Sequence, residues 1–451
     1  MMREPAFSLL ERPAPRPLRG LRVLVLGLGD TGLSVARWVE RQGGQPRVAD
    51  TRAAPPRAPD YAGELHRGAF DLRLLDAADM VCVSPGLPLR EPLIVEAARR
   101  RIPVLGDVEL FAWQNRTEVL AVTGTNGKST VTALTGHLLR AAGMDCEVAG
   151  NIGPAVLDAL MKRNAPPAAW VVELSSYQLE TTWSLEPHAA VVLNVSEDHL
   201  DRYATLEEYA AAKARVFLGH GLQVLNRDDP RSAAMAVKDR PRVTFGLDAP
   251  PSPQDFGVRA GVLVRGARPI IDASQLPIHG WHNAANALAA CALASTRVPI
   301  DALAAGLRSF KGLPHRLQLV SQHGEVDWYD DSKGTNVGAT IAALNGLARP
   351  TILILGGEGK GQDFSPLAAP ASRYARRVLL IGRDAALIEK ALSGLQTERC
   401  ASLEEAVTRA AAYARPGEAV LLSPACASFD MFRDYRHRGE VFAEAVRELS
   451  A

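Results

Sequence analysis

The segment Ala121-Val-Thr-Gly-Thr-Asn-Gly-Lys-Ser-Thr130 carries the residue types needed to hold a polyphosphate. An apolar strand-like run, Val119–Thr123, leads into a glycine turn, and a helix is expected from about Lys128. Backbone N–H groups at such a turn point at phosphate oxygens, and the helix dipole favours their charge. Gly124, Thr125, Asn126, Gly127, Lys128, Ser129 and Thr130 are therefore the candidate nucleotide cradle. Lys128 would neutralise the β/γ-phosphates and Ser129 would turn its hydroxyl to Mg²⁺, with ATP the expected ligand. The match to the general phosphate-loop pattern is partial, because Val122 stands where the first glycine belongs and Gly124 supplies the turn. A phosphate loop alone does not separate a kinase, an ATPase, a switch and a ligase.

Two further carboxylate and imidazole positions follow strand-like runs. Glu173 ends Trp170–Val172, and His199 follows Ala189–Leu193. Strand ends are where an open α/β sheet presents its ligands, so Glu173 is a candidate for Mg²⁺. Read singly, Glu173 is equally a turn-capping carboxylate, His199 a structural histidine, and Lys213 a solvated lysine on a helix. Near the N-terminus, Gly27-Leu-Gly-Asp-Thr-Gly32 follows the strand Arg22–Leu26, with Asp50 at the end of the next strand. Alone this is the fingerprint of a dinucleotide site and suggests a dehydrogenase. A second nucleotide loop at Lys128 and the lack of a hydride-transfer constellation oppose that reading. Lys333 and Lys360 lie in glycine-containing turns after strand-like runs, where an anionic amino acid could dock.

The elements that must position these groups are short aliphatic strands alternating with alanine-rich helical patterns, the mark of α/β layers with largely parallel sheets. At roughly 150 residues per domain, 451 residues suggest three. We expect residues 1–106 to form the first domain, with 1–19 a loose tail rich in Arg and Pro. Residues 107–312 would form the second and 313–451 the third. Hydrophobic residues make up 47% and charged residues 22%, the proportions of a soluble globular chain. Lys plus Arg number 51 against 50 Asp plus Glu, which gives no overall charge for nucleic acid. No apolar run approaches the roughly 18 residues of a membrane span. The 5 cysteines are scattered without metal-ligand spacing, so a reducing, cytoplasmic setting is expected.

Taken together, the motifs resemble the ATP-dependent Mur ligases of peptidoglycan synthesis. Gly124–Thr130, Gly150-Asn-Ile-Gly153, Glu173-Leu-Ser-Ser176, Asn194–Asp201, His282–Asn286 and Pro314-His-Arg316 carry the likeness through the centre of the chain. Asp331–Asn336, Gly356–Lys360 and Ser423–Ser428 narrow it to the glutamate-adding branch. The likeness runs from about residue 20 to the end in the right order.

The resemblance implies a fold and a reaction. The fold is a Rossmann-like N-terminal domain, a central P-loop ATPase-like domain and a C-terminal Rossmann-like α/β domain. In the reaction, ATP phosphorylates the carboxylate of UDP-N-acetylmuramoyl-L-alanine, and the amine of D-glutamate attacks the acyl phosphate. By the same resemblance, Lys128 and a Mg²⁺ on Ser129 and Glu173 grip the nucleotide, with Asn286 on the adenine side and Arg316 near the phosphates. A second Mg²⁺ lies near His199 and Lys213, the lysine carrying a carbamate made from CO₂. The UDP-linked substrate falls to Asp30, Thr31, Asp50, Thr51, Arg52, Ser84, Gly86, Asn151, Ser175, Gln178 and His199. Glutamate falls to Lys333, Thr335, Lys360, Ser428 and Tyr435. Asp30 and Tyr435 depart from the leucine and phenylalanine of the family pattern. A monomer is expected, with its C-terminal domain swinging about Gly312–Pro314. The same fold also serves folylpolyglutamate synthases, which the uridine-type N-terminal domain disfavours. A third reading is a non-catalytic nucleotide sensor, and the intact Lys128, Glu173, His199 and Lys213 oppose it.

Overall fold

A computed structural model describes residues 5–199 and 202–449, which fold around three sheets that follow one another along the chain. The first sheet is parallel, in the spatial order Leu65–Arg67, Gln45–Asp50, Arg22–Leu26, Met80–Val83, Val104–Leu105. Its two central strands are aliphatic and buried, as strands covered on both faces must be. The strand order reverses between them, so a crevice opens beyond their carboxyl ends, at Gly27 and Ser84. The Ser84 hydroxyl donates to the Gly27 carbonyl at 3.1 Å and ties the two ends together.

The second sheet has 9 strands. Glu118–Thr123 lies between Ala169–Glu173 and Ala189–Val192, all parallel. The helix Lys128–Ala141 packs over these strands together with Trp281–Ala294. Trp281–Ala294 is largely alanine and buried from Ala287 to Ala294, so the two helix backbones can approach closely. The sheet ends in antiparallel strands Phe256–Arg259, Val262–Arg265 and Arg268–Asp272, which the reading of alternating parallel units did not anticipate. The third sheet has 6 strands, in the order Gln318–His323, Val326–Asp330, Ala419–Leu422, Thr351–Gly356, Ala375–Ile381, Thr397–Arg399. Only its first pair is antiparallel.

The expected loose tail needs correction over its described part, residues 5–19. Ala6 and Leu10 are buried among Leu74, Leu75 and Leu93 of the first domain, beside Trp183 of the second. Phe7 lies 4.9 Å beneath the Arg215 guanidinium, and the Ala6 amide donates to Glu208 at 3.3 Å. Apolar Ala6, Phe7 and Leu10 give this Pro-rich arm something to bury, and prolines cost an extended arm no sheet hydrogen bonds.

Candidate active site

Three strand ends of the central sheet converge on the phosphate loop. Glu118–Thr123 stops at Gly124, and the helix begins at Lys128 after Gly127, whose φ is +85°. A Cβ on Gly127 would stand 2.5 Å from Asn286 Oδ1, so the loop and the alanine-rich helix meet too closely for any other residue. The next strand fixes the loop. Asn126 N donates to Asn194 Oδ1 at 2.8 Å, and Asn194 Nδ2 returns a bond to the Asn126 carbonyl at 3.1 Å. Thr125 is tied in both directions to Ser196. Lys128 Nζ donates to the Gly124 and Thr125 carbonyls at 2.9 and 2.8 Å, curled along the loop whose phosphates it would meet.

Glu173 is buried at the end of its strand. Its Oε1 accepts from Asn151 Nδ2 at 2.7 Å, while Oε2 is buried without a partner. A buried, unpaired carboxylate oxygen fits a hard cation. Among the described residues no cluster of three His, Cys, Asp or Glu side chains could hold a metal.

Lys213, at the end of the helix Leu206–Ala214, is not a surface lysine: it is 1% exposed. Its Nζ donates to the Gly124 carbonyl at 2.7 Å and sits 4.2 Å over the Tyr209 ring. Burial, reinforced by the Lys128 ammonium, pushes its pKa well below the ordinary lysine value. As an amine it donates to that carbonyl and offers no oxygen to a hard cation. His199 has a left-handed φ of +57° and packs its ring 4.9 Å from that of Tyr177. Burial lowers its pKa to about 4, so at neutral pH its imidazole offers a lone pair. Leu200 and Asp201, the last residues of that motif, lie outside the described residues.

The N-terminal candidates line two contiguous cavities. One, of about 550 Å³, is walled by Asp30, Thr31, Asp50, Thr51, Arg52, Ser84 and Gly86. The other, of about 520 Å³, lies between the first two domains and takes in Asn151 and Gln178. Asp30, Thr31, Pro85 and Asn151 border both, so the two form one groove running towards Glu173. Asp50 supports this groove from behind. Its buried carboxylate accepts from Leu28 N at 2.6 Å and from Arg52 N, Nε and Nη2 at 2.6–2.9 Å. Burial alone would raise its pKa, but the bonds from Arg52 and Leu28 outweigh it and hold the group at about 2. Asp30 is exposed and paired with Arg57 at 2.5 Å. Ser175 and Gln178 form a capping box that starts the helix Ser176–Glu180.

The C-terminal domain reaches the loop from the opposite side. Lys333 Nζ donates to Ser129 Oγ at 2.9 Å. Asn336 Nδ2 donates to Asn126 Oδ1 and to Asp198, each at 3.1 Å. Tyr435 stacks under Lys333, 5.3 Å from Nζ, and burial with the Arg316 charge lowers the Lys333 pKa to about 7. A short antiparallel bridge, Glu358 to Ala427, holds the Lys360 loop beside Ser428. The Lys360 charge is felt at His199. Thr335 closes the turn on Lys333, its amide donating to the Lys333 carbonyl at 3.0 Å. Asn286 and Arg316 line a cavity of only about 60 Å³ with Gly127 and Thr130, and Arg316 Nε is buried without a partner there. Sequence reasoning missed Asn336, which couples two domains, and Arg57, Asp107 and Arg436 around the 520 Å³ cavity. Asn336 sat inside a quoted motif; the others had no signal in spacing.

Strand ends from one sheet carrying a phosphate loop and a buried carboxylate, flanked by two further α/β domains, define a class. Family models cover most of the chain: the Mur ligase MurD-like N-terminal domain over residues 21–106, the Mur ligase middle domain over 122–294, and the Mur ligase glutamate ligase domain over 315–426. The chain belongs to the Mur ligase family. More particularly, it is 53% identical to the UDP-N-acetylmuramoylalanine–D-glutamate ligase of Nitrosospira multiformis, over 96% of this chain and 97% of that one. It is 54% identical to the protein of the same name from Thiobacillus denitrificans, over 96% and 98%. Among solved structures it shares its fold with UDP-N-acetylmuramate-alanine ligase MurC of Thermotoga maritima. That match has a TM-score of 0.62 at 20% identity, over 95% of this chain and 99% of that one. MurF of Acinetobacter baumannii matches with a TM-score of 0.60 at 18% identity, over 94% and 93%. Among the described residues no helix is long and apolar enough to cross a membrane.

Proposed function

We propose that this chain joins D-glutamate to UDP-N-acetylmuramoyl-L-alanine at the expense of ATP, as a cytoplasmic monomer. The observation that carries the reading is the meeting of Lys333 with Ser129 at 2.9 Å. It places the cation read as a glutamate ligand against the loop read as the nucleotide cradle. The groove of the first two domains ends at Asn151, which is bonded to Glu173, so a UDP-linked substrate lying in it delivers its free carboxylate to the same point.

The chemical difficulty is that a carboxylate must attack an anionic γ-phosphate. Lys128 counters that repulsion, and Arg316 and Lys333 lie on the side from which the C-terminal domain closes. One carboxylate oxygen forms a bond to phosphorus as the bond to ADP breaks. The glutamate amine then adds to the acyl carbonyl, phosphate leaves with its electron pair, and the amine proton passes to solvent. Ser129 and Glu173 would hold one Mg²⁺, and His199 with a carbamate on Lys213 a second. When bound, these ions neutralise phosphate and carboxylate charge. The carbamate forms when the neutral Lys213 amine attacks CO₂ and gives up one proton. The depressed pKa supports this step because only the unprotonated amine reacts. Asn286 lies on the adenine side, and Lys360, Thr335, Ser428 and Tyr435 complete the glutamate site.

Phosphate release from ATP tests the reading. It should require UDP-N-acetylmuramoyl-L-alanine and D-glutamate together. Release that needs a folate instead, or neither substrate, would replace this function with a different one.

A further inference from the structure

The helix Tyr435–Glu448 of the third domain sends an arginine into the interior. Arg438 is 0% exposed, so it touches no ligand and whatever it does is done through its neighbours. A guanidinium carries its N–H donors in a rigid planar fork, and burying it is costly unless they are used. Arg438 Nε donates to Ser332 Oγ at 3.0 Å. Its Nη2 donates to the Ser332 carbonyl at 2.8 Å and to the Cys426 carbonyl at 3.1 Å. Ser332 Oγ in turn donates to the Tyr435 carbonyl at 2.7 Å, across 103 residues of chain.

Each of these partners borders a residue read as a glutamate ligand. Ser332 precedes Lys333, Cys426 stands just before Ala427 and Ser428, and Tyr435 is itself such a residue. The loop that leads to Lys360 meets the same guanidinium. A Cβ on Gly357 would stand 3.3 Å from Arg438 Nη1 and 2.2 Å from the Ala427 carbonyl, so this loop packs on the arginine with no room for a side chain. Glu358 and Ala427 then exchange amide-to-carbonyl bonds at 3.0 and 2.9 Å. One buried side chain thus joins the segments that carry Lys333, Lys360, Ser428 and Tyr435.

We propose that Arg438 is a positioning residue for the amino-acid substrate, fixing the spacing of Lys333, Lys360, Ser428 and Tyr435 before that substrate arrives. The assignment of those four residues to glutamate rests on the proposed function. A dicarboxylate needs two anion-binding points held at a set separation, and a misplacement of about 1 Å can cost about 10²-fold in rate. Burial lowers the Arg438 pKa to about 10, still well above neutral, and the nearby Asp430 and Asp330 favour its charge. Lysine keeps the charge but lacks the planar fork, so it cannot serve the Ser332 hydroxyl and both carbonyls in the same geometry.

The test compares wild type, Arg438→Lys and Arg438→Met by steady-state kinetics, calorimetric binding of UDP, and amide hydrogen exchange without ligand. The KM for D-glutamate should rise about 10- to 50-fold in the methionine variant and about three- to tenfold in the lysine variant, with kcat within about threefold. UDP should bind all three proteins within about twofold, because the 550 Å³ cavity contains no residue of the third domain. The Glu358 and Ala427 amides should exchange about tenfold faster in both variants, which reads the spacing of the segments with no substrate present. The lysine variant carries the test alone if the methionine variant does not fold. An unchanged KM for D-glutamate, or a loss shared equally by UDP, reduces Arg438 to a core residue and overturns the proposal. Wild type that releases phosphate without need of D-glutamate would instead sink the proposed function, an outcome read without any variant.

Discussion

The two interfaces of the central domain differ sharply in their free volume. Towards the N-terminal domain the wall opens into cavities of about 520 and 550 Å³, each of the size that holds a small ligand. Towards the C-terminal domain the space beside Asn286 and Arg316 is about 60 Å³, too small for a nucleotide. Side chains fill the difference: Lys333 rests on Ser129 and Asn336 on Asn126, while Lys128 curls back on Gly124. The first interface is a preformed pocket. The second is a set of mutually touching side chains, which on the proposed function must part before ATP enters. The linker supports that motion, since 311–314 is irregular chain and Gly312 has a φ of +76°. Substrate binding in the groove should need little rearrangement, whereas nucleotide and glutamate binding should be coupled to domain movement.

The largest effect is expected where the closed interface meets the phosphates. Lys128→Ala removes the loop's own cation from the γ-phosphate, and turnover should fall by about 10²–10³-fold. UDP-substrate affinity in the groove should be unchanged, because Lys128 is not part of that wall. Near-normal turnover in the folded variant would take the loop out of the mechanism.

Lys213 comes next. The carbamate reading predicts a loss of about 10²-fold in Lys213→Arg, which keeps a cation but cannot react with CO₂. Carbon-13 NMR of protein equilibrated with labelled CO₂ should show one carbamate carbon that is missing in the variant. Full activity in Lys213→Arg would return the residue to a structural role, bonding Gly124.

A smaller effect should separate the interfaces directly. Asn336→Ala removes the bonds to Asn126 and Asp198, so the KM for ATP and glutamate should rise about tenfold, with KM for the UDP-substrate unchanged. Small-angle scattering should show the variant more extended than wild type. Equal rises in all three KM values would mean that the two interfaces move as one.

The sequence made legible what is local. The phosphate loop, the strand ends at Glu173 and near His199, and the glycine turn at Gly27 are each set by residues within a few positions. Aliphatic runs and glycines report such features directly. What was not legible depends on pairing across the chain. Lys333 read as a place for an anionic amino acid to dock, but its contact with Ser129, 204 residues away, was not legible. The N-terminal arm read as loose because its few apolar side chains find their partners only in the assembled groove between Leu74 and Trp183. Lys213 was legible only through resemblance; helical periodicity placed it on a solvated face, and the structure buries it at 1% exposure.

The smallest expected effect tests the claim that the groove is preformed. Asp50 receives the Leu28 amide and three donors of Arg52, which sets the turn at the crevice before any ligand arrives. An asparagine has one acceptor oxygen, so Asp50→Asn leaves at least one buried amide unpaired, and UDP affinity should fall about threefold. The carboxyl is held at about 2 in the folded protein, below the roughly 3.9 of an unfolded chain. A lowered folded pKa means that the stabilisation is complete above about pH 4 and is lost as pH falls from about 4 to about 2. The difference in Tm between wild type and Asp50→Asn should therefore be constant from pH 7 to about 5, shrink below 4, and nearly vanish near 2. Arg52 is half exposed, so solvent screening keeps the plateau small, on the order of a few degrees. A difference that persists undiminished at pH 2 would show that Asp50 stabilises the turn by shape alone, and UDP binding would then owe nothing to its charge.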